Sequence, residues 1–315
     1  MSLKQLNKTQ RAAVEAIDGP ILIFAGAGSG KTRVLTHKMY HLIKENHYKP
    51  ENILSVTFTN KAAKEMKERV LKLLDLNELP ITIGTFHSVC ARLLRKEAKY
   101  LKVSNHFAIY DVQDQLDLLK VILKELNISK DQLTPNKARN QISYFKSKMV
   151  SAQDQLSKAR TMIEKNIAEV YSKYQIELIS NDALDFDDLL LYPLELFENN
   201  PKILLKYQRQ WKYILVDEYQ DTNRPQFYFL TKLAEKYKQI CVVGDDDQSI
   251  YGWRGADVTN ILDFEKFFPS CRIFTLEKNY RSTQQILDAA TAVVTHNDKR
   301  AKKNLAAQNG EGEKL

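Results

Sequence analysis

A glycine-rich turn, Ala25-Gly26-Ala27-Gly28-Ser29-Gly30-Lys31-Thr32, follows the apolar run Ile21–Ala25 and precedes a helical pattern. Small residues in such a turn let backbone N–H groups close around phosphate oxygens, and the next helix adds the partial positive charge of its N-terminus. There Lys31 would reach the β- and γ-phosphates of a nucleoside triphosphate, and the Thr32 hydroxyl would bind Mg²⁺. Ala25 stands where the general pattern has its first glycine. A second, acidic centre complements the turn. The apolar run Tyr213–Val216 ends in Asp217-Glu218, which puts two carboxylates at the C-terminal edge of a sheet, where open α/β folds bind ligands. Asp217 would hold the Mg²⁺ through water, and Glu218 would orient and deprotonate the attacking water. The two centres together point to triphosphate hydrolysis.

Those groups need a scaffold. Short β-rich apolar runs occur at Ile21–Ala25, Ile53–Phe58, Ile81–Gly84, Tyr213–Val216, Ile240–Gly244 and Ile273–Leu276. Continuous hydrophobicity suits strands covered on both faces, as in a parallel sheet. Helical periodicity follows several runs; Ala63, Met66, Val70 and Leu73 recur at three- and four-residue steps after the second. This alternation predicts a doubly wound α/β domain. Between about residues 90 and 190 the strand texture gives way to amphipathic helices such as Val112–Leu126 and Ala152–Ile179, with a joint at Thr134-Pro135-Asn136. The expected fold class is therefore a P-loop NTPase parallel sheet with an inserted all-helical domain.

Composition narrows the partners. The length of 315 residues suggests about two domains. No apolar run approaches the ~18 residues that span a membrane, and Met1–Gln10 carries no apolar signal core. Cys90, Cys241 and Cys271 are widely spaced without metal-ligand spacing, which fits a reducing, cytoplasmic compartment. The net charge is +8, with basic excess in residues 60–72 and 136–165. A polyanionic partner is compatible with that charge, although either stretch alone reads as a solvated helix face.

Further stretches are specific. They are Leu6-Asn7-Lys8-Thr9-Gln10, Thr57-Phe58-Thr59-Asn60-Lys61-Ala62-Ala63, Gly84-Thr85-Phe86-His87-Ser88, Asp217-Glu218-Tyr219-Gln220-Asp221, the run from Gly244-Asp245-Asp246-Asp247-Gln248 through Tyr251-Gly252-Trp253-Arg254-Gly255, and Leu276-Glu277-Lys278-Asn279-Tyr280-Arg281-Ser282. In type and order they closely resemble the UvrD/Rep/PcrA helicases of superfamily 1. The resemblance implies an ATP-dependent 3′-to-5′ DNA helicase of repair or replication, with ATP and Mg²⁺ as cofactors and single-stranded DNA and duplex junctions as partners. It implies that Gln10 reads the adenine edge, that Tyr280 stacks on the adenine and that Arg33 lies near the nucleotide. Gln248 resembles a γ-phosphate sensor and Arg281 an arginine finger. For DNA it points to Phe58, Asn60, Thr85, His87, Tyr251, Trp253 and Arg254, whose aromatic faces would stack on bases without reading sequence.

The family pattern sets the expected domains: 1–89 and 191–271 as the two parts of a first RecA-like domain, 90–190 as the inserted helical domain, and 272–315 as the incomplete start of a second RecA-like domain. A chain lacking the rest of that domain is expected to bind ATP weakly, hydrolyse it slowly and not unwind DNA. Two alternatives stay open, a non-translocating ATP-dependent repair scaffold and the motor part of a RecB- or AddA-type helicase–nuclease. His37 and His41 lack a third metal ligand and read as a helix face. Asp182, Asp185, Asp187 and Asp188 read as structural, interleaved with packing residues Leu184, Phe186, Leu189 and Leu190. Asp245–Asp247 read as site wall rather than a second metal centre.

Overall fold

A computed structural model describes residues 3–297 and 300–313. The chain divides into two compact units. The first comprises Met1–Phe86, Leu204–Thr222 and Leu230–Leu315; the second comprises His87–Ile203 and Asn223–Phe229.

In chain order the strands are β1 (Ile21–Ala25), β2 (Ile53–Thr57), β3 (Thr82–Thr85), β4 (Ala108–Tyr110), β5 (Ala183–Asp185), β6 (Tyr213–Val216), β7 (Ile240–Gly244), β8 (Arg272–Leu276), β9 (Lys278–Asn279) and β10 (Ala306–Ala307). Six of them form the sheet of the first unit in the order β3-β2-β6-β7-β1-β8. All its pairings are parallel; Leu22 sits opposite Val242 on one side and Ile273 on the other. Every residue of β1, β2, β6 and β7 is buried, whereas the edge strands β3 and β8 are partly open. Each apolar run expected to be a strand lies in this mixed α/β unit. The last of them, β8, pairs with β1, so the sheet continues past residue 272.

Helices α1 (Lys8–Glu15), α2 (Lys31–Lys44) and α3 (Asn60–Leu74) lie in the first unit. Val34, Leu35, Met39 and Leu42 of α2 and Met66, Val70 and Leu74 of α3 share one core with Ile21, Ile23, Leu215 and Val243 of the sheet. A charge is also buried there. Lys38 has no exposed surface, and its ammonium donates to the carbonyls of Ala13, at 2.8 Å, and Ala16. These carbonyls end α1, where a cation satisfies unpaired acceptors and the helix dipole. Burial pulls the Lys38 ammonium down to about 8. Lys38 thereby ties α2, which begins at the P-loop, to the helix that carries Gln10.

The second unit is mainly helical: α4 (Phe86–Lys96, of which Phe86 belongs to the first unit), α5 (Val112–Glu125), α6 (Pro135–Ser147), α7 (Ala152–Lys158), α8 (Met162–Ser180) and α9 (Asp188–Asn199). Thr134 caps α6 and Pro135 occupies its first turn, which is the joint legible in the sequence. The stretch Ala152–Ile179 is two helices, because Thr161 and Glu164 form a capping box that starts α8 afresh. Two three-residue strands, β4 and β5, pair within the otherwise helical region, a departure from its expected all-helical character.

The acidic run after Asn181 holds this unit together. Lys146 of α6 is fully buried and reaches Asp185 at 2.7 Å and Asp188 at 2.8 Å; Tyr174 of α8 donates its hydroxyl to Asp185 at 3.0 Å. Burial opposes the Lys146 charge, but the two carboxylates hold its pKa above the usual lysine value. Phe186, expected to be packed, is half exposed and meets the His87 ring edge-on at 5.6 Å. Removing the cation strands two buried carboxylates, so Lys146→Ala is expected to cost about 3–5 kcal/mol in urea unfolding of the helical unit. An unchanged urea midpoint would show that the ion cluster contributes no stability.

Candidate functional site

Four loops carry the residues with chemistry, and they leave β6, β7, β1 and β8, which are neighbours in the sheet. Parallel strands all end on the same edge, so those loops meet there. The turn after β1 is shaped by backbone: Gly28 and Gly30 adopt φ of 70° and 91°, and the Ser29 hydroxyl closes the turn on the Gly26 carbonyl at 2.7 Å. A Cβ at Gly28 would fall 2.6 Å from the Arg281 Cβ and 2.9 Å from the Asn279 amide nitrogen, so a larger residue cannot stand there. The segment after β8 is bound directly to the turn, with Tyr280 N–H on the Gly28 carbonyl at 3.0 Å and the Asn279 amide on the Ala27 carbonyl at 2.5 Å.

At the head of α2 the Lys31 ammonium reaches Glu218 Oε2 at 2.6 Å. Glu218 holds a left-handed backbone, φ 52° and ψ 44°, which costs a non-glycine residue about 1–3 kcal/mol and persists where surroundings impose it. Beside it Asp217 is 4% exposed. Burial first, and then the Glu218 charge, push the Asp217 carboxyl up to about 6, while Lys31 and the Thr32 side-chain hydrogen bond oppose the rise. Thr32 thus lies close enough to Asp217 to favour its charged form, giving two hard oxygen donors next to the phosphate turn. That donor set fits Mg²⁺, which takes one or two protein oxygens and completes its shell with phosphate and water.

The remaining nucleotide candidates have definite partners. Gln10 is 1% exposed; its Nε2 donates to the Ser29 carbonyl at 2.9 Å and its Oε1 accepts the Asn7 N–H at 3.1 Å. It forms a capping box with Asn7 at the start of α1, a role signalled by their three-residue spacing. Arg33 donates to the Gln5 carbonyl at 2.9 Å, and Tyr280 is exposed with its hydroxyl accepting from Asn7 at 2.9 Å. Gln248 donates from Nε2 to the Asp245 carboxylate. Ala25, Gly26 and Ala27 lie in the strand end and turn themselves.

Asp245, Asp246 and Asp247 enclose cations that sequence reasoning missed. Lys303, 5% exposed, meets Asp245 at 2.7 Å, Asp247 at 3.1 Å and also Asp246. Arg300 grips Asp247 with two hydrogen bonds, at 3.0 and 2.8 Å. An ammonium already occupies the position a metal would take. Nothing in the local sequence of either segment signals this pairing.

Aromatic candidates form a second cluster in the same unit. The Phe58 and Tyr251 rings stack at 5.5 Å and 13°, and Tyr251 lies 6.4 Å from Trp253, which is 75% exposed. Asn60 is exposed at the head of α3, and Thr85 is buried at the end of β3. His87 belongs to the second unit, and burial lowers its pKa to about 4, so its ring is neutral. The Arg254 side chain lies outside the described residues.

Were Asp217 to hold Mg²⁺, a proton would compete with the ion for its carboxylate, which burial raises to about 6; the Mg²⁺-dependent part of nucleotide affinity is then expected to hold above pH 6 and to fall as pH drops through that value, by up to about tenfold per unit. Asp217→Asn should flatten this limb in calorimetric titrations at pH 5 to 8; a limb of wild-type steepness in that variant would assign it elsewhere.

Residues 6–269 match the UvrD/REP helicase N-terminal domain, and residues 274–315 match the UvrD-like helicase C-terminal domain. The chain is 48% identical over 313 residues to ATP-dependent DNA helicase PcrA of Bacillus subtilis (strain 168), covering 99% of this chain and 42% of that protein. It is 47% identical to the proteins of the same name from Staphylococcus aureus (strain Mu50) and Staphylococcus epidermidis (strain RP62A), covering 43% of each. The chain therefore spans less than half the length of these relatives. No described helix is long and apolar enough to cross a membrane. On the matched domain, which covers most of its residues, this chain belongs to the UvrD/REP helicase family.

Proposed function

We propose that the first unit binds and hydrolyses Mg²⁺-ATP and grips single-stranded DNA, as the nucleotide-binding half of a 3′-to-5′ DNA helicase acting on single strands and duplex junctions in repair or replication. The observation that carries this reading is the 2.6 Å pairing of Lys31 with Glu218. It brings the cation that would neutralise the terminal phosphate within one hydrogen bond of the carboxylate that would take the proton from water. Asp217 and Thr32 would hold Mg²⁺, which would supply charge neutralisation on the phosphate oxygens. Arg281, anchored against Gly28, adds positive charge as the phosphoryl group transfers. Tyr280 and Gln10 bound the base end, where Gln10 would exchange the Ser29 carbonyl for the adenine edge.

The aromatic run of Phe58, Tyr251 and Trp253 supports single-strand binding, because each base has a π-face and stacking needs no sequence. Asn60, Thr85 and Arg254 follow as DNA contacts by family likeness, and so does His87 on the second unit. Gln248 and Trp253 lie on one loop after β7, so phosphate state and strand grip share a short covalent path.

A polypeptide of these 315 residues is expected to bind ATP weakly, turn it over slowly and leave a fluorescent duplex unseparated. Lys31→Ala should lower ATP affinity by at least about tenfold, the equivalent of about 1.4 kcal/mol. Trp253→Ala should weaken binding to oligo-dT by about 1–3 kcal/mol. Calorimetry with a non-hydrolysable analogue and fluorescence anisotropy with labelled oligo-dT check these outcomes. Unaltered affinity in the first variant would remove the phosphate role from the turn, and in the second would remove Trp253 from the strand contact.

A further inference from the structure

Gln220 sits two residues past Glu218 on the short turn Tyr219–Asp221 and is 1% exposed. Its amide is engaged at both ends. Nε2 donates to Glu218 Oε2 at 3.0 Å and to Asp221 Oδ2 at 3.2 Å. Oε1 accepts the backbone N–H of Asp245 at 3.0 Å, and the Gln220 backbone carbonyl accepts the Ser249 hydroxyl at 3.2 Å. Asp245 and Ser249 bracket the turn Asp246–Gln248, and Asp245 also accepts the Gln248 amide. Chemistry fixes which way the Gln220 amide points, since carboxylates need the NH₂ and a backbone N–H needs the oxygen. Room for it comes from Gly244, where a Cβ would fall 2.5 Å from Gln220 Oε1.

Glu218 Oε2 is the same oxygen that meets Lys31. A phosphate that draws Lys31 away changes the load on that oxygen, and Gln220 is hydrogen-bonded to it. We propose that Gln220 is a positioning residue that links the Glu218 carboxylate to the Gln248 loop, so that the placement of one constrains the other. The inference rests on the reading of Lys31 and Glu218 as the triphosphate site. It assigns Gln220 no contact with nucleotide or DNA, so its loss should uncouple the loop and leave binding largely intact.

The test uses the 315-residue chain and two readouts. Calorimetry reports affinity for a non-hydrolysable ATP analogue with Mg²⁺. Trp253 emission reports the loop, with a Trp253→Phe control to subtract the other tryptophan, Trp211. In the unsubstituted chain the analogue is expected to change Trp253 emission. In Gln220→Met, which lacks the amide donor for the carboxylates and offers only a weak thioether acceptor to the Asp245 N–H, affinity should stay within about threefold while the emission change falls by at least about half. Gln220→Glu keeps the shape but sets an oxygen against two carboxylates, and it should lose the response likewise. This near-isosteric arm decides the matter if the methionine variant melts early. An emission response of wild-type size in Gln220→Glu at wild-type affinity overturns the link, as does an unsubstituted chain that binds the analogue with no emission change. An unsubstituted chain that shows no calorimetric binding instead overturns the triphosphate reading itself, and the link with it.

Discussion

Parallel strands cannot choose where their loops go: successive strands leave the sheet at the same edge, so short loops meet their neighbours and only a long loop reaches further. In the order β3-β2-β6-β7-β1-β8, the four strands nearest β8 deliver Asp217-Glu218, the Gln248 loop, the phosphate turn and Asn279–Arg281 side by side. The two strands on the other flank deliver Phe58 and Thr85. The loop after β7 is long enough to serve both flanks, since it begins at Asp245 beside the phosphate turn and runs to Tyr251, stacked on Phe58. The candidate nucleotide residues and the aromatic cluster are thereby divided along one edge and joined by one loop.

That edge holds groups in states they would not adopt alone. Glu218 keeps a left-handed backbone, Asp217 is buried where its charge is disfavoured, and Lys31 lies against a carboxylate. Each is compensated by a neighbour supplied from another loop. Such local conflicts gather at active sites, ligand clamps and switch regions.

Much of this was legible in the amino-acid order. The six buried or edge strands announce themselves through β-branched runs too apolar for a solvated face, and the phosphate turn through its glycines. Strand order was not legible, because periodicity reports burial and says nothing of neighbours. Strands β4, β5, β9 and β10 are too short to leave a pattern. The long-range polar ties were hidden for a different reason. Lys38, Lys146 and Lys303 look like ordinary surface lysines in sequence, yet each is buried by partners between 22 and 58 residues away. Gln220 sits inside a recognisable acidic stretch, but its second partner, Asp245, becomes adjacent only when β6 and β7 pair.

The enclosure of Lys303 has a consequence for ionic strength. At about 0.1 M salt the screening length is about 10 Å, and it acts on charges in contact with solvent. The ammonium among Asp245, Asp246 and Asp247 is nearly sealed, whereas the lysines and arginines of residues 60–72 are largely solvated. Counter-ions can therefore screen the charges on the outside of the molecule while the loop bearing Gln248 stays seated. Screening of the outer lysines and arginines and loosening of the Gln248 loop become two separable events, with different responses to brine.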